Sequence, residues 1–362
     1  MATEIKKNTN FAFIICTIFI YNLLDMKKIL NTLALAAVLL SVFQSCGPAV
    51  SVGKTGSSGK TLEMLIVCKN SVYSSLLQSS VDSIFLAPQD GLNQPEQRFD
   101  VVQIVPSSFT DNKMFQAHRN LLILDVDPQG LNKVFLEYDK WATPQVVIRF
   151  TAKDVHSLDS MLFANKDRLL KEYYGQEYRR MAKVFSKSPD VQIINKIKSK
   201  YGYTLAIPEE FVLATMKEDP NFTWVFKQTK DFDLHLFLNK AKGTTADLTE
   251  ENILANADTM LHRFVPGPTE GSYPGVERRD FFYTRQVKIG DIDAVEVRGL
   301  WRTYNDFMGG PFVSYSFISP SGDEVYTLMA CVYSPSQRNK MVMKRDLLMQ
   351  LDGICRSISF ED

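Results

Sequence analysis

The chain has 362 residues, and its 41 basic and 41 acidic side chains give a formal net charge of zero at pH 7. This balance gives no electrostatic reason to expect binding to nucleic acid or to an anionic membrane surface. Hydrophobic residues make up 45% of the sequence and aromatic residues 11%, as is typical of globular proteins long enough for two domains.

The segment 26–45 has the order of a secretory signal peptide. Lys27 and Lys28 precede an almost unbroken apolar run over 29–43, and Cys46 follows a small residue. A run of this length is expected for a signal peptide and is shorter than the roughly 20 residues that span a bilayer. The segment resembles a bacterial lipoprotein signal, in which the cysteine is acylated and becomes the mature N-terminus. The resemblance implies lipidation at Cys46 and a lipid-anchored position in the cell envelope.

The segments on either side of this signal carry further expectations. Residues 1–25 contain a second apolar run that a signal starting at Met26 does not need. We interpret them as a wrongly assigned upstream start, with a double-span anchor as the alternative. Residues 46–60 are rich in Gly and Ser, which predicts a flexible tether. The residues directly after Cys46, beginning with Gly47, are not acidic, which favours an outer-membrane lipoprotein that faces the periplasm.

Residues 61–197 alternate short apolar runs with helical patterns, which predicts an α/β layer module. A long helix is expected over 154–185. A shorter helix is expected after an N-cap at Ser188, with Pro189 at its first position, running to Lys200 and closing at Gly202. The boundary between two modules is placed after residue 197. The runs that predict strands are 62–68, 99–105, 121–126 and 146–150.

Residues 198–362 are rich in strand patterns, which predicts a mostly antiparallel sheet covered by helices. One helix is expected from Asp247 or Thr249, and the last helix has Leu347 and Leu351 on one apolar stripe. The fold class is therefore predicted as mixed α+β. The predicted strands are 204–207, 211–216, 222–228, 234–239, 281–287, 294–301, 312–318 and 325–332.

The sequence offers few signals for catalysis. Its four histidines lack metal-ligand spacing, and no G-x-S-x-G motif occurs. His235 alternates with leucines along a predicted strand, which favours an ordinary strand residue. Asp125 and Asp127 end another predicted strand, where they could bind Mg²⁺ or form a turn, and the turn is favoured because a hard cation needs more oxygen ligands. We expect neither a metal nor a cofactor.

The cysteines beyond the signal each lie in an apolar stretch, namely Cys68, Cys331 and Cys355. This setting predicts buried free thiols. A Cys331–Cys355 disulfide, formed in an oxidising periplasm, is the alternative.

The region 264–316 carries the best candidate site in the sequence. Prolines and glycines interrupt its first part, and Gly309-Gly310-Pro311 adds a second sharp backbone feature. Exposed aromatic side chains with polar neighbours on such loops are typical of recognition surfaces. Alternatively, the loops pack on each other and Arg298 pairs internally with Glu270 or Asp306. The residues predicted to bind a partner are Glu270, Tyr273, Arg298, Trp301, Asn305, Asp306 and Phe307.

Three segments of the same half carry a family resemblance, namely 265–273, 298–301 and 305–315. They look like the signature stretches of an uncharacterised Bacteroidetes lipoprotein family, a domain of unknown function, and the likeness extends over nearly all of the mature chain. This resemblance implies no activity, no cofactor and no catalytic residue. The order of elements in 203–360 is also loosely similar to the PsbP/Mog1-like sandwich, which concerns the fold alone.

From these patterns we expect a binding or scaffolding accessory protein of the cell envelope rather than an enzyme. Its partner would be an envelope protein or a cell-wall component, contacted through residues 264–316. The alternative is a periplasmic hydrolase or small-ligand-binding protein that uses Asp125, Asp127 or Asp306. That alternative predicts a pocket in which carboxylates converge with raised pKa values. A purely structural lipoprotein, whose loops only complete a sheet, is a third interpretation.

Overall fold

Two β-sheets with helices on both faces carry the fold. The computed structural model describes residues 54–360 except 74, 216–218 and 336–341, and these residues belong to one compact unit. The predicted signal peptide 26–45, its Cys46 and the segment 1–25 lie outside the described residues. Within the described part of the chain, no helix is both long enough and apolar enough to cross a membrane.

The first sheet has five strands in the order β2-β1-β3-β5-β4. Four of them run parallel, and β4 lies antiparallel to β5 at the edge. The inner strands are almost continuously apolar, as expected for parallel strands that are buried on both faces. The strands are β1 Glu63–Val67, β2 Asp100–Ile104, β3 Asn120–Val126, β4 Lys133–Tyr138 and β5 Val146–Ala152.

Five helices cover this sheet. The first, fourth and fifth pack on one face and the two short ones on the other. The single helix predicted over 154–185 is wrong, because two helices occupy this range and the first of them ends at its C-cap, Asn165. The Asn165 side-chain amide donates to the Met161 carbonyl at 2.8 Å. The helices are α1 Ser75–Val81, continued by a π-helical turn at Asp82–Leu86, then α2 Pro106–Asp111, α3 Lys113–Gln116, α4 Val155–Ala164 and α5 Lys166–Phe185.

The described end of the predicted tether, residues 54–60, is bound to the first sheet's loops, which corrects the expectation of a flexible segment there. The Ser57 amide donates to the Thr143 carbonyl at 3.3 Å, and the Ser58 amide donates to the Ala117 carbonyl at 2.9 Å. These backbone hydrogen bonds hold the segment against the loops, although its Gly and Ser content is typical of a flexible linker.

The second sheet has eight strands and is antiparallel throughout. Seven follow the order β10-β11-β12-β13-β8-β7-β6, and β9 pairs with the end of β11. The strand predicted over 204–207 is wrong, since Thr204 alone forms a bridge, to Ser359. The strands are β6 Val212–Leu213, β7 Phe222–Gln228, β8 Asp233–Lys242, β9 Tyr273–Val276, β10 Tyr283–Ile289, β11 Ile292–Tyr304, β12 Gly309–Ile318 and β13 Glu324–Tyr333.

Three helices cover both faces of this sheet, which confirms the predicted α+β class. They are α6 Val191–Tyr201, α7 Glu250–Phe264 and α8 Lys344–Cys355. Alternate residues of a strand point to opposite faces, so Tyr315 packs towards α6 and α8 while Phe312 packs towards α7.

Helix α8 also joins the second sheet to the first. The Arg345 guanidinium donates to the Gln97 carbonyl at 2.7 Å and pairs with Asp100 at 3.0 Å. Met349 belongs to the apolar core beneath the first sheet. A Cβ at Gly353 would lie 2.6 Å from the Cβ of Met181 on α5, so the glycine lets the two helices approach closely. The two sheets are thus held by one shared helix.

The three cysteines of the described residues are buried and free, as predicted from their apolar surroundings. Burial raises the pKa of the Cys68 thiol to about 11. The Cys331 and Cys355 pKa values are also raised by burial, and the Cys331–Cys355 disulfide considered above is not formed.

Candidate functional site

The loop between α7 and β9, residues 265–272, is fixed by its own hydrogen bonds, and we call it the proline loop. The Gly267 amide donates to the Ser272 carbonyl at 3.0 Å, and the Thr269 amide donates to the Ser272 hydroxyl at 3.1 Å. A Cβ at Gly267 would lie 2.1 Å from the Ser272 hydroxyl oxygen, so only glycine fits there. These contacts hold the proline loop in one conformation.

The turn between β11 and β12 holds this loop from the side. Asn305 adopts a left-handed conformation with φ of 63°, which asparagine tolerates better than most residues. Its side-chain amide donates to the Gly271 carbonyl at 3.1 Å, and Asp306 accepts a hydrogen bond from the Thr269 hydroxyl at 2.9 Å. Two residues predicted to contact a partner thus bind the proline loop.

An aromatic stack lies next to this turn. The rings of Tyr273 and Tyr304 stack with centroids 5.3 Å apart, and His262 tilts against Tyr273 at 4.1 Å. The Tyr304 hydroxyl donates to the Val276 carbonyl at 3.0 Å. Phe307, at the tip of the turn, is fully exposed, with a relative accessibility of 105%, and Glu270 is also exposed.

Arg298 and Trp301 were expected to be exposed, and that expectation is wrong. Strand β11 has neighbours on both sides and helices over both faces, so its central residues are buried. The Trp301 indole donates to the Val332 carbonyl at 3.1 Å. A Cβ at Gly310 would lie 2.0 Å from that same oxygen, so the Gly309-Gly310 pair has a packing role.

Arg298 pairs internally, but with neither Glu270 nor Asp306. It donates to Glu296 at 2.7 Å and to Asp352 on α8 at 2.5 Å. Burial would raise the pKa of Glu296, yet its arginine neighbours hold that pKa well below the ordinary value. Arg298 is therefore a structural residue that fastens α8 to the sheet.

Beneath the proline loop lies a pocket of about 200 Å³. The loop and Pro274 form one side, and the surface of the second sheet and α7 form the other. The walls are mostly apolar, so the pocket favours an apolar occupant. Its lining residues are Trp224, Asp233, His235, Phe237, Leu261, Val265, Pro266, Gly267, Pro268, Pro274, Trp301, Thr303, Met308 and Cys331.

His235 is the main polar group inside this pocket. Its Nδ1 lies 3.3 Å from the Trp224 indole nitrogen, which donates to it, and its ring stacks on Phe237 at 6.0 Å. Burial lowers the pKa of His235 to about 4, so the imidazole is neutral at neutral pH. Burial also raises the pKa of Asp233. The pocket thus offers a neutral ring and a carboxylate among apolar walls.

Sequence reasoning did not assign His235 to a site. Its alternation with Leu234 and Leu236 correctly indicated a strand, but the cross-strand neighbours Trp224 and Phe226 were not considered. The hairpin of β7 and β8 pairs Phe226 with His235. Pairing the two adjacent predicted strands residue by residue would have placed the His235 imidazole among aromatic rings.

The carboxylates of the enzymatic alternative lie in separate parts of the fold. Asp127 accepts a hydrogen bond from the Gln129 amide at 3.2 Å, which is the turn favoured from the sequence. Asp125 belongs to the first sheet, whereas Asp306 lies beside the second and binds Thr269. Among the residues that the structure describes, no group of three His, Cys, Asp or Glu side chains could hold a metal ion.

Comparisons with known proteins give two matches to family models. Residues 57–186 match a domain of unknown function (DUF8532), and residues 190–357 match another domain of unknown function (DUF4837). A search of curated proteins found no significant match. The two domains are consistent with an uncharacterised family, and the pocket beneath the proline loop lies wholly within the second of them.

Arg298 and Arg285 both donate to Glu296. The structural role of Arg298 predicts that removing it lowers the free energy of unfolding more than removing Arg285 does. Arg298→Ala leaves buried Asp352 and Glu296 poorly compensated and should lower the free energy of unfolding by about 3–5 kcal/mol. Arg285→Ala removes a half-exposed partner of Glu296 and should cost at most about 1 kcal/mol. Urea denaturation measures both. Equal losses would show that Arg298 does not fasten α8.

The depressed pKa of His235 predicts a pH-dependent stability. In the unfolded chain the imidazole binds a proton near its ordinary pKa of about 6.5, whereas in the folded protein it stays neutral down to about 4. Stability should therefore fall as pH falls through this window, by at most about 3 kcal/mol. Replacement by phenylalanine, His235→Phe, should flatten this fall in urea denaturation measured between about pH 7 and pH 4.

Two other groups, His118 and Asp233, also make the free energy of unfolding depend on pH. Burial also lowers the pKa of His118, so part of the dependence should remain in the His235 variant, while the raised Asp233 pKa acts in the opposite direction. The exposed His156 lies outside the pocket, so His156→Phe supplies the matched substitution away from the site. An identical profile in wild type and His235→Phe would contradict the burial of the imidazole.

Proposed function

We propose that the chain is a lipid-anchored protein of the cell envelope that acts by binding, as an accessory or scaffolding factor. The basic start, apolar run and Cys46 of the segment 26–46 support the anchor. The non-acidic residues after Cys46 support an outer-membrane position facing the periplasm. Seven residues, 47–53, separate Cys46 from the folded unit that begins at Lys54.

The binding surface we propose consists of the proline loop, the 305–308 turn and the pocket between them and the sheet. We call it the docking face. One observation carries the proposal: a fully exposed phenylalanine, Phe307, directly precedes Met308, which lines an apolar pocket. A phenylalanine exposed to solvent costs free energy that a partner recovers on burying it. Aromatic residues of this kind dominate binding energy at protein interfaces.

The size of the pocket favours a protein partner. At about 200 Å³ it is smaller than the roughly 300–1,000 Å³ of sites for drug-sized ligands, and it suits a single large apolar side chain. The partner we infer is another envelope protein that inserts such a side chain beneath the proline loop. A cell-wall component, stacked on Tyr273 and Tyr304, is the alternative, and the experiment must distinguish it from a protein partner.

Site-specific photo-crosslinking in intact cells tests the docking face. A photo-crosslinking phenylalanine derivative in place of Phe307 should give a discrete adduct with an envelope protein. The same derivative in place of Phe281, which is 86% exposed on another loop, is the matched control and should not give that adduct. Met308→Trp, which fills the pocket mouth, should weaken the adduct at position 307.

Three results would contradict the protein-partner proposal. The same adduct from position 281 would show that exposure alone explains the reaction. An adduct that persists after Met308→Trp would show that the partner binds at Phe307 without using the pocket. Material that resists protease but is released by cell-wall hydrolases would favour the cell-wall alternative.

The anchor is tested separately with Cys46→Ala. The wild-type protein should fractionate with membranes and have an intact mass that starts at Cys46 and includes acyl chains, because covalent lipid is the proposed attachment. The variant should lose the lipid and leave the membrane fraction. An unlipidated wild-type protein whose mass begins at Met1 would refute the proposed location.

A further inference from the structure

A larger cavity than the pocket lies between the two sheets. Its volume is about 630 Å³, within the range of sites for small molecules. Helix α5 and the loop that contains Gln89 and Arg98 form one wall, and strand β10 with helix α8 forms the other. We call this cavity the cleft. Among the residues predicted to bind a partner, Arg298 lines it.

The residues that line the cleft are more often basic than acidic, although the chain as a whole carries no net charge. Eight lysine and arginine residues line it against four aspartate and glutamate residues. The basic residues are Arg98, Lys171, Arg179, Arg285, Lys288, Arg298, Arg345 and Arg356. Carboxylates outside the lining pair with five of these cations: Glu296 with Arg285, Arg298 and Arg356, Asp293 with Lys288, and Asp100 and Asp346 with Arg345. The positive charge open to an anion therefore comes mainly from Lys171 and Arg179, which form no ion pair with another described residue, and from the exposed cations of β10.

Four of these cations are exposed and come from opposite walls. Lys171 and Arg179 belong to α5, whereas Arg285 and Lys288 belong to β10. Lys288 pairs with Asp293 at 3.0 Å, and both side chains are largely exposed. Exposed ion pairs of this kind contribute little to stability, so a multivalent anion can replace the carboxylate at little cost.

The floor of the cleft is rigid. Arg356 donates to Glu296 at 2.6 Å and to the Tyr315 hydroxyl at 3.0 Å. Its guanidinium lies 4.6 Å from the ring of Tyr178 on α5. Such a floor needs no rearrangement when a ligand enters, which keeps the entropic cost of binding low.

We propose that the cleft binds a small organic polyanion, with two or more phosphate or carboxylate groups, that bridges α5 and β10. One anionic group would meet Lys171 and Arg179, and another would meet Lys288 and the exposed edge of Arg285, which keeps its contact with Glu296. Arginine guanidinium groups bind both carboxylate and phosphate well because they donate two parallel hydrogen bonds. This site is independent of the docking face.

Calorimetric titration of the full-length protein tests the proposal. The probes are pyrophosphate and citrate, with acetate as the monovalent control, at low and at physiological salt. We expect one ligand per chain for at least one polyanion and little binding of acetate. Arg285→Gln with Lys288→Gln removes one wall's cations, and Lys171→Gln with Arg179→Gln removes the other's. Each pair should weaken binding by about tenfold or more, the effect of losing one charge-assisted contact.

The matched control is Lys133→Gln with Lys153→Gln, which removes two exposed positive charges outside the cleft. It should change the affinity by less than about twofold, since distant exposed charges are screened by salt. Binding of pyrophosphate alone would assign a phosphate ligand, and binding of citrate alone a carboxylate ligand. No binding of either probe at millimolar concentration, or equal weakening by the control pair, would overturn the proposal.

Discussion

The architecture depends on one buried ionic network between the second sheet and helix α8. Glu296 on β11 accepts hydrogen bonds from Arg298 and Arg356, while Asp352 on α8 pairs with Arg298 and accepts from the Tyr315 hydroxyl. Charges buried in this way are costly unless every one is compensated. The network therefore allows few other positions for α8. Since α8 also contacts the first sheet, the mutual position of the two sheets follows from this single set of contacts.

The pocket and the cleft are built in different ways on that frame. The pocket takes its shape from local hydrogen bonds, chiefly those that close the proline loop and attach it to Asn305 and Asp306. The cleft takes its shape from long-range packing, because its walls come from both sheets. A substitution in the proline loop should thus alter one cavity alone, whereas loss of the Arg298–Asp352 pair should disturb the cleft first.

The sequence allowed most of the fold to be predicted, and the exceptions have physical reasons. Strand β7 was predicted at its observed bounds because apolar and β-branched residues continue through it. Strand β9 was missed because its Pro274 and Gly275 are unusual in strands and are tolerated where pairing is partial. The site was harder to predict. Arg298 and Trp301 were assigned to a recognition surface because aromatic and arginine side chains on loops are enriched at such surfaces, with internal pairing of Arg298 as the alternative. Only the layers on both faces of β11, which no local pattern reveals, bury them.

The contacts of α8 also have a consequence for the order of folding. Arg345 and Asp100 are 245 positions apart in the chain, and Arg298 and Asp352 are 54 apart. Closing such long loops is entropically unfavourable before the surrounding contacts exist. The hairpins of the second sheet can form from neighbouring residues, whereas its β8–β13 pairing and the docking of α8 on both sheets join distant parts of the chain. A chain that ends before this twelve-residue helix should therefore leave the surface shared by the two sheets exposed and prone to self-association.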